Sequence, residues 1–176
     1  MSKFKLANVR LSFPAIFTKA VFDGVETKYE ATLLIDKDSQ SKLVDQLQGK
    51  IDAFIKEQFP TGAPKALKVT CLQDGDTKDY DGYANHMAFK GTSNSRITII
   101  DRDKSPLVEA DGKPYAGCYV NAICSLWLSQ HPKGGTQVLA NLHGIQFFKD
   151  GEAFGEGSTD VTSEFDSFED EDDFDI

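Results

Sequence analysis

No apolar run in the 176 residues approaches the roughly 20 that a membrane-spanning helix needs, and the opening MSKFKLANVR has no apolar core of a secretory signal. The expectation is a cytoplasmic chain without a membrane partner. Cysteine is scarce: Cys71, Cys118 and Cys124 are odd in number and form no C-x-x-C pair. That excludes the usual redox and zinc pairs and leaves three reduced, largely buried thiols. His86, His131 and His143 show no H-x-x-x-H or H-E-x-x-H spacing. His143, inside an apolar strand, reads as a satisfied structural histidine, and His131, before Pro132, as an exposed loop residue. Neither phosphate-binding glycine motif, G-x-x-x-x-G-K-[ST] or G-x-G-x-x-G, occurs. The DGD and DRD segments fall short of a calcium loop and read as turns. No catalytic residue, metal or cofactor is therefore expected.

The other absence is local. Residues 150–176 contain no base and hold 12 of the 28 acids, which leaves residues 1–149 with 16 acids against all 19 bases. The overall pI near 4.8 thus hides a body of formal charge +3 and a tail of −12. Such asymmetry marks an interaction tail on a globular body. The expected division is a domain over 1–149 and an acidic tail over 150–176. In the closing EFDSFEDEDDFDI, eight acids are interrupted by Phe165, Phe168, Phe174 and Ile176. A segment this charged and this short does not bury its own phenylalanines, so it is expected to stay disordered until a basic surface orders it. Its carboxylates imitate a phosphate run. Phe165, Phe168, Asp172, Asp173 and Phe174 are its candidate partner contacts.

What is present reads as strands with one helix. KFKLANVRLSF alternates on Phe4 and Leu6, then changes phase to Val9, Leu11 and Phe13, which predicts a bulge near Ala7 and Asn8, with Pro14 closing the strand. YEATLLI is a second strand, and Asp23-Gly24 before it is a hairpin-turn signal. From Asp38 the spacing of Leu43, Leu47, Ile51 and Phe54 or Ile55 is helical, with Asp38 or Ser39 as the cap and Pro60 to Pro64 as the stop. LKVTCL, RITII, YVNAICSLWL and QVLANLHGIQFF are further strands between glycine-bearing turns. The fold class is mainly β: an OB-fold-like antiparallel barrel with one main α-helix.

The candidate chemistry is nucleic-acid binding. Between Leu67 and Lys104, Lys68, Lys78, Lys90, Arg96 and Arg102 are interleaved with Tyr80, Tyr83 and Phe89, and FKGTSNSR is polar and glycine-containing between apolar strands. Single-stranded DNA needs a cationic track for its phosphates and aromatic faces for its bases. Tyr80 and Tyr83, at the edges of DYDGY, are the preferred stackers. Phe89 is a weaker candidate, since a phenylalanine at that place in a strand is more often core. Trp127 alternates with Leu126 and Leu128 and faces either the core, the commoner place for tryptophan, or a groove.

In order along the chain, VRLSFPAIF, KYEATLLI, RITIIDRDKSPL, YAGCYVNAICSLW, GIQFFKDGEAFG and the terminal DDFDI resemble the phage single-stranded DNA-binding proteins of the OB-fold, acidic-tail type. That group includes a phage family long catalogued as a domain of unknown function. The resemblance implies sequence-independent binding of single-stranded DNA in replication or recombination. It also implies a tail that is offered to replication proteins such as a polymerase or helicase, and it is compatible with a homo-oligomer. The chain departs from the pattern by closing on Asp175-Ile176 after Phe174. Two rival readings are an acidic interaction protein, such as a DNA mimic or assembly chaperone, and a barrel enzyme using His86 with Cys71 or Cys118.

Overall fold

The computed structural model describes residues 2–131, 133, 135–155 and 165–167. Its first strand, β1 (Lys3–Ala15), carries the phase change seen in the sequence. Leu6, Val9 and Leu11 are all buried, and pairing with β9 (Tyr119–His131) shifts register between Leu6 and Val9. Asn8 absorbs the extra residue at φ 57°. Its N–H donates to Asn121 Oδ1 at 2.9 Å, while Gln40 Nε2 donates to the carbonyls of Ala7 and Asn8. Side chains thus satisfy the backbone groups that a bulge leaves without ladder partners.

The chain then makes the small hairpin β2 (Val21–Phe22) and β3 (Val25–Glu26), with Asp23 and Gly24 at φ 54° and 77°. Both positive angles are those a two-residue type I′ turn requires. β4 (Tyr29–Asp36) follows and pairs with β1. The helix α1 (Ser41–Gln58) begins later than the expected caps: Asp36 Oδ1 accepts from the N–H of Asp38 and Ser39, which makes those residues part of the preceding turn. Leu47 and Ile51 are buried against the barrel core, with Leu43, Val44, Phe54 and Ile55 partly buried around them. Each fully buried side chain contributes about 1.5–3 kcal/mol. The Phe59 N–H bonds to Ile55 O, and the helix ends before Pro60.

Short strands β5 (Lys68–Val69) and β6 (Leu72–Asp74) precede β7 (His86–Ser93), then come β8 (Thr98–Ile100), β9 and β10 (Gly135–Lys149). The stretch containing FKGTSNSR, polar by composition, is therefore largely a central strand, paired with β4 along eight residues. Around the barrel the order is β1-β4-β7-β10-β9 and back to β1, a closed five-stranded OB-type barrel. Gly91 eases the closure: a Cβ there would stand 3.0 Å from that of Leu142, tighter than an ordinary contact, so glycine favours the approach of β7 to β10. The interior is filled by Leu33, Phe89, Val120, Leu142 and their neighbours.

Candidate nucleic-acid interface

One outer face of the barrel is a long cleft, formed where period-two alternation turns polar side chains outward. On the β4–β7 pair, Thr32 lies opposite Lys90 and Glu30 opposite Thr92. At one end is a groove of about 660 Å³ lined by Lys28, Lys90, Thr92, Trp127, Lys133 and Leu139. It shares Thr70, Cys71 and Lys90 with a second groove of about 500 Å³, which continues past Thr32, Gln73 and Lys78 to Phe13, Tyr80 and Tyr83. Four lysines and one carboxylate line the joined length. That carboxylate, Glu30, pairs with Lys90 at 3.0 Å. The pair is exposed enough to contribute only about 0–1 kcal/mol, so it yields readily to a competing phosphate.

The two ends differ. At one, Lys28 Nζ stands 5.7 Å from the centroid of the Trp127 ring. The indole faces the cleft rather than the core, and its Nε1 has no hydrogen-bond partner among the described residues. A buried structural tryptophan normally has that donor satisfied. At the other end, Phe13, Tyr80 and Tyr83 form an edge-to-face cluster with centroids 5.0 Å (Phe13–Tyr80) and 5.1 Å (Tyr80–Tyr83) apart. Tyr80 is 52% exposed and Phe13 43%. Phe13 holds φ 44°, a left-handed conformation that is costly for a bulky residue and turns up where function constrains the backbone. Tyr83 is buried over Leu34 and Ala88, and its hydroxyl shares a 3.0 Å hydrogen bond with Ser12 Oγ. It is the floor on which Tyr80 rests.

The loop bearing both tyrosines is pinned by charge. Lys37 Nζ donates to Asp74 at 2.6 Å and Asp76 at 2.7 Å, and the Asn85 N–H donates to Asp76 Oδ1. These bonds hold the Asp74 and Asp76 carboxyls below the usual aspartate range; in Asp74 the Lys37 bond is the largest cause, in Asp76 the Asn85 N–H. A strap of residues 150–155 closes the same end. Arg10 donates to the carbonyls of Gly117 and Glu152, and its guanidinium lies 4.3 Å from the Phe154 ring centroid. Phe154 packs with Leu34, Tyr83 and Ala88. Gly117, at φ 105°, has the Glu152 backbone where a side chain would begin. Residues placed in the tail on charge alone thus lie against the barrel as far as Gly155.

The sequence-predicted residues divide. Lys78, Lys90, Tyr80 and Trp127 line the cleft, and exposed Lys68 lies on β5, two residues before the cleft residue Thr70. Two candidates need correction as base-stacking residues: Phe89 is sealed in the core against Phe4, and Tyr83 supports Tyr80 from below. Both point away from solvent because a strand's alternation, or packing over a neighbour, takes their faces. Arg96 and Arg102 flank β8, away from the cleft lining, and Arg102 lies 5.9 Å from the Phe148 centroid. Phe165 is 74% exposed, while Phe168, Asp172, Asp173 and Phe174 lie outside the described residues. Lys28, Lys133, Phe13 and Phe154 were missed. Lys28 and Lys133 fall outside the Leu67–Lys104 window, and only strand pairing brings them to it.

Burial pushes the thiols of Cys71 and Cys124 up to about 12 and that of Cys118 up to about 11. His86 accompanies none of them; its Nδ1 bonds to Ala84 O. His143 Nε2 meets Ser125 Oγ at 2.7 Å, the satisfied state expected of it. No group of three or more metal-ligating side chains exists among the described residues, and no helix is long and apolar enough to cross a membrane.

This barrel has known relatives. The chain is 39% identical over 173 residues to putative protein p50 of Acyrthosiphon pisum secondary endosymbiont phage 1, covering 93% of this chain and 92% of that protein. Its fold matches the single-stranded DNA-binding protein from bacteriophage Enc34 in complex with ssDNA at a TM-score of 0.74, with 26% identity over 87% of this chain and 89% of that one. It matches gp2.5, a single-stranded DNA-binding protein encoded by bacteriophage T7, at a TM-score of 0.54 and 15% identity over 94% and 95% of the two chains, a likeness of fold alone. The profile of the family described as "Enterobacter phage Enc34, ssDNA-binding protein" matches residues 2–175, and the chain belongs to that family.

Proposed function

We propose that the protein binds single-stranded DNA along the Trp127–Tyr80 cleft without sequence preference, acting in phage DNA replication or recombination. The observation that carries this reading is the cleft itself: four lysines against one glutamate, with Trp127 at one end and Phe13 and Tyr80 at the other. Lysines spaced along a groove meet phosphates, and aromatic faces at its ends stack on bases of any kind, each stacking contact being worth about 1–3 kcal/mol. The lining has no arginine, and its two amides are engaged by Thr70, whose Oγ1 donates to Gln137 Oε1 and whose carbonyl accepts from Gln73 Nε2, which supports tolerance of sequence. The family's bacteriophage Enc34 member, solved with ssDNA, supports the same ligand.

The acidic tail competes with DNA for this cleft and, once displaced, recruits replication proteins. Supporting this, the strap brings Phe154 beside Phe13 and Tyr80, and residues 156–176 that follow it carry −10 against a cleft of lysines. Oligo-dT, a mixed-sequence strand, RNA and duplex DNA are to be titrated into full-length protein and into protein lacking residues 164–176. Similar affinities for the two single strands, weaker duplex binding and tighter binding by the truncated chain are expected. Equal affinity with and without the tail across a salt series would exclude competition, and duplex preference would exclude the main reading.

A further inference from the structure

The barrel carries a second groove, away from the cleft. It has a volume of about 410 Å³ and is lined by Lys3 and Lys5 of β1, Thr98 and Ile100 of β8, Asn121 and Ile123 of β9, and His143–Gln146 of β10. None of its lining residues is shared with the cleft. Ile100, Ile123 and Ile145 give it an apolar floor, and Gly144 adds no side chain to fill it. Its rim is cationic and unneutralised. Lys3 and Lys5 are exposed, neither takes part in an ion pair among the described residues, and no carboxylate lines the groove. Lys37, Lys90 and Lys113, by contrast, all have acidic partners.

This composition selects among anionic ligands. No phenylalanine, tyrosine or tryptophan lines the groove, and its one aromatic ring, the His143 imidazole, is held at Nε2 by Ser125 Oγ, so it offers nucleobases little to stack on. An apolar floor under two free ammonium groups instead suits a peptide in which large apolar side chains alternate with carboxylates. The chain contains one such segment, SFEDEDDFDI, at residues 167–176. Its attachment lies within reach. The 21 residues from 156 to 176 span at most about 70 Å, against a radius of gyration of about 15 Å for a body of this size. Tethering on a linker of this length gives a local concentration in the millimolar range, so even weak intrinsic affinity fills the groove within one molecule.

We propose that the β8–β9–β10 groove is a second seat for the same chain's terminus: Phe174 enters over Ile100, Ile123 and Ile145, and the flanking carboxylates pair with Lys3 and Lys5. The inference rests on the reading that DNA displaces the tail from the cleft. It gives the displaced tail a place to rest, so DNA-bound protein does not present its terminus indiscriminately, and a replication partner has to draw it from this groove.

Full-length protein carrying a photo-cross-linking benzoylphenylalanine at position 174 tests this, with and without saturating oligo-dT, products being mapped by mass spectrometry. DNA binding is followed in the same samples by anisotropy. With DNA bound, cross-links are expected on Thr98–Ile100, Asn121–Ile123 and His143–Gln146 within one chain. The double substitution K3E/K5E should cut their yield at least tenfold while oligo-dT affinity stays within about twofold. Cross-links that vanish on DNA addition, stay on the cleft residues, ignore K3E/K5E or join two chains would overturn the proposal. A second equivalent of oligo-dT that K3E/K5E abolishes would do the same, by assigning the groove to nucleic acid. Absence of oligo-dT binding altogether would instead refute the functional reading on which the proposal rests.

Discussion

At the scale of single residues, exposure and neighbours decide which aromatic can touch a base. Trp127 and the exposed Tyr80 line the cleft; Phe89 is fully buried, and Tyr83 reaches the cleft only as a nearly buried floor. Trp127→Ala should therefore weaken oligo-dT binding by about 1–3 kcal/mol, roughly 5- to 150-fold, with stability little changed. Tyr83→Phe should behave in the opposite way. Removing its hydrogen bond to Ser12 costs about 0.5–1.5 kcal/mol of stability and leaves affinity nearly intact. Paired thermal melts and fluorescence titrations separate the two. The thiols give a third prediction. With ionisation pushed up to about 11 or 12, the native protein should resist iodoacetamide near neutral pH, and alkylation should appear by mass spectrometry only after unfolding. Rapid native labelling would revive a thiol chemistry that these surroundings argue against.

At the scale of elements, the loop that carries Tyr80 depends on the Lys37–Asp74–Asp76 pins. Both carboxyls titrate below their ordinary value of 3.8 and Lys37 above its own 10.5. The sign follows from linkage. The aspartates contribute their full stabilisation above about pH 3.8 and lose it as pH falls through their lower folded values; the lysine's contribution is full below 10.5 and fades above it. Amides of residues 76–85 should thus gain hydrogen exchange selectively below the aspartate range, and Lys37→Ala should reproduce that loosening at neutral pH. Its effect on DNA affinity should stay under about tenfold, because it acts on loop order rather than on contacts. Protection unchanged by Lys37→Ala would remove the pins from the account.

Much of the element plan was legible in local pattern. The β1 bulge, the Asp23-Gly24 turn, the helix stripe and the long strands each repeat a period or a turn signal within a few residues. β7 was not legible, because Lys90 and Thr92 face the cleft and Gly91 serves barrel closure, which leaves a polar, glycine-bearing string resembling a loop. The strap was hidden for a similar reason. Its acids Asp150 and Glu152 contribute to the tail's charge count, yet Asp150 accepts from the Tyr115 hydroxyl at 2.7 Å and the Glu152 carbonyl serves Arg10. Likewise the cleft drew Lys28 and Lys133 from both ends of the chain through strand register that no linear window contains.

At the scale of the whole molecule, a barrel and strap of formal charge +1 over residues 1–155 and a tail of −10 over 156–176 only acquire meaning once the positive charge is placed. The lysines of the cleft face an opening between two aromatic ends, and the chain leaves the barrel beside one of those ends. Each lysine that contacts a phosphate of a single strand steepens the salt dependence of binding by about 0.7 in the slope of log K against log salt concentration. The decisive measurement is that slope for oligo-dT, compared between the full-length protein and its Lys28→Ala, Lys90→Ala, Lys133→Ala triple variant. The account predicts weaker binding by the folded variant with a slope shallower by about 2. An unchanged slope in a variant that still folds would mean that single-stranded DNA takes another path across the barrel.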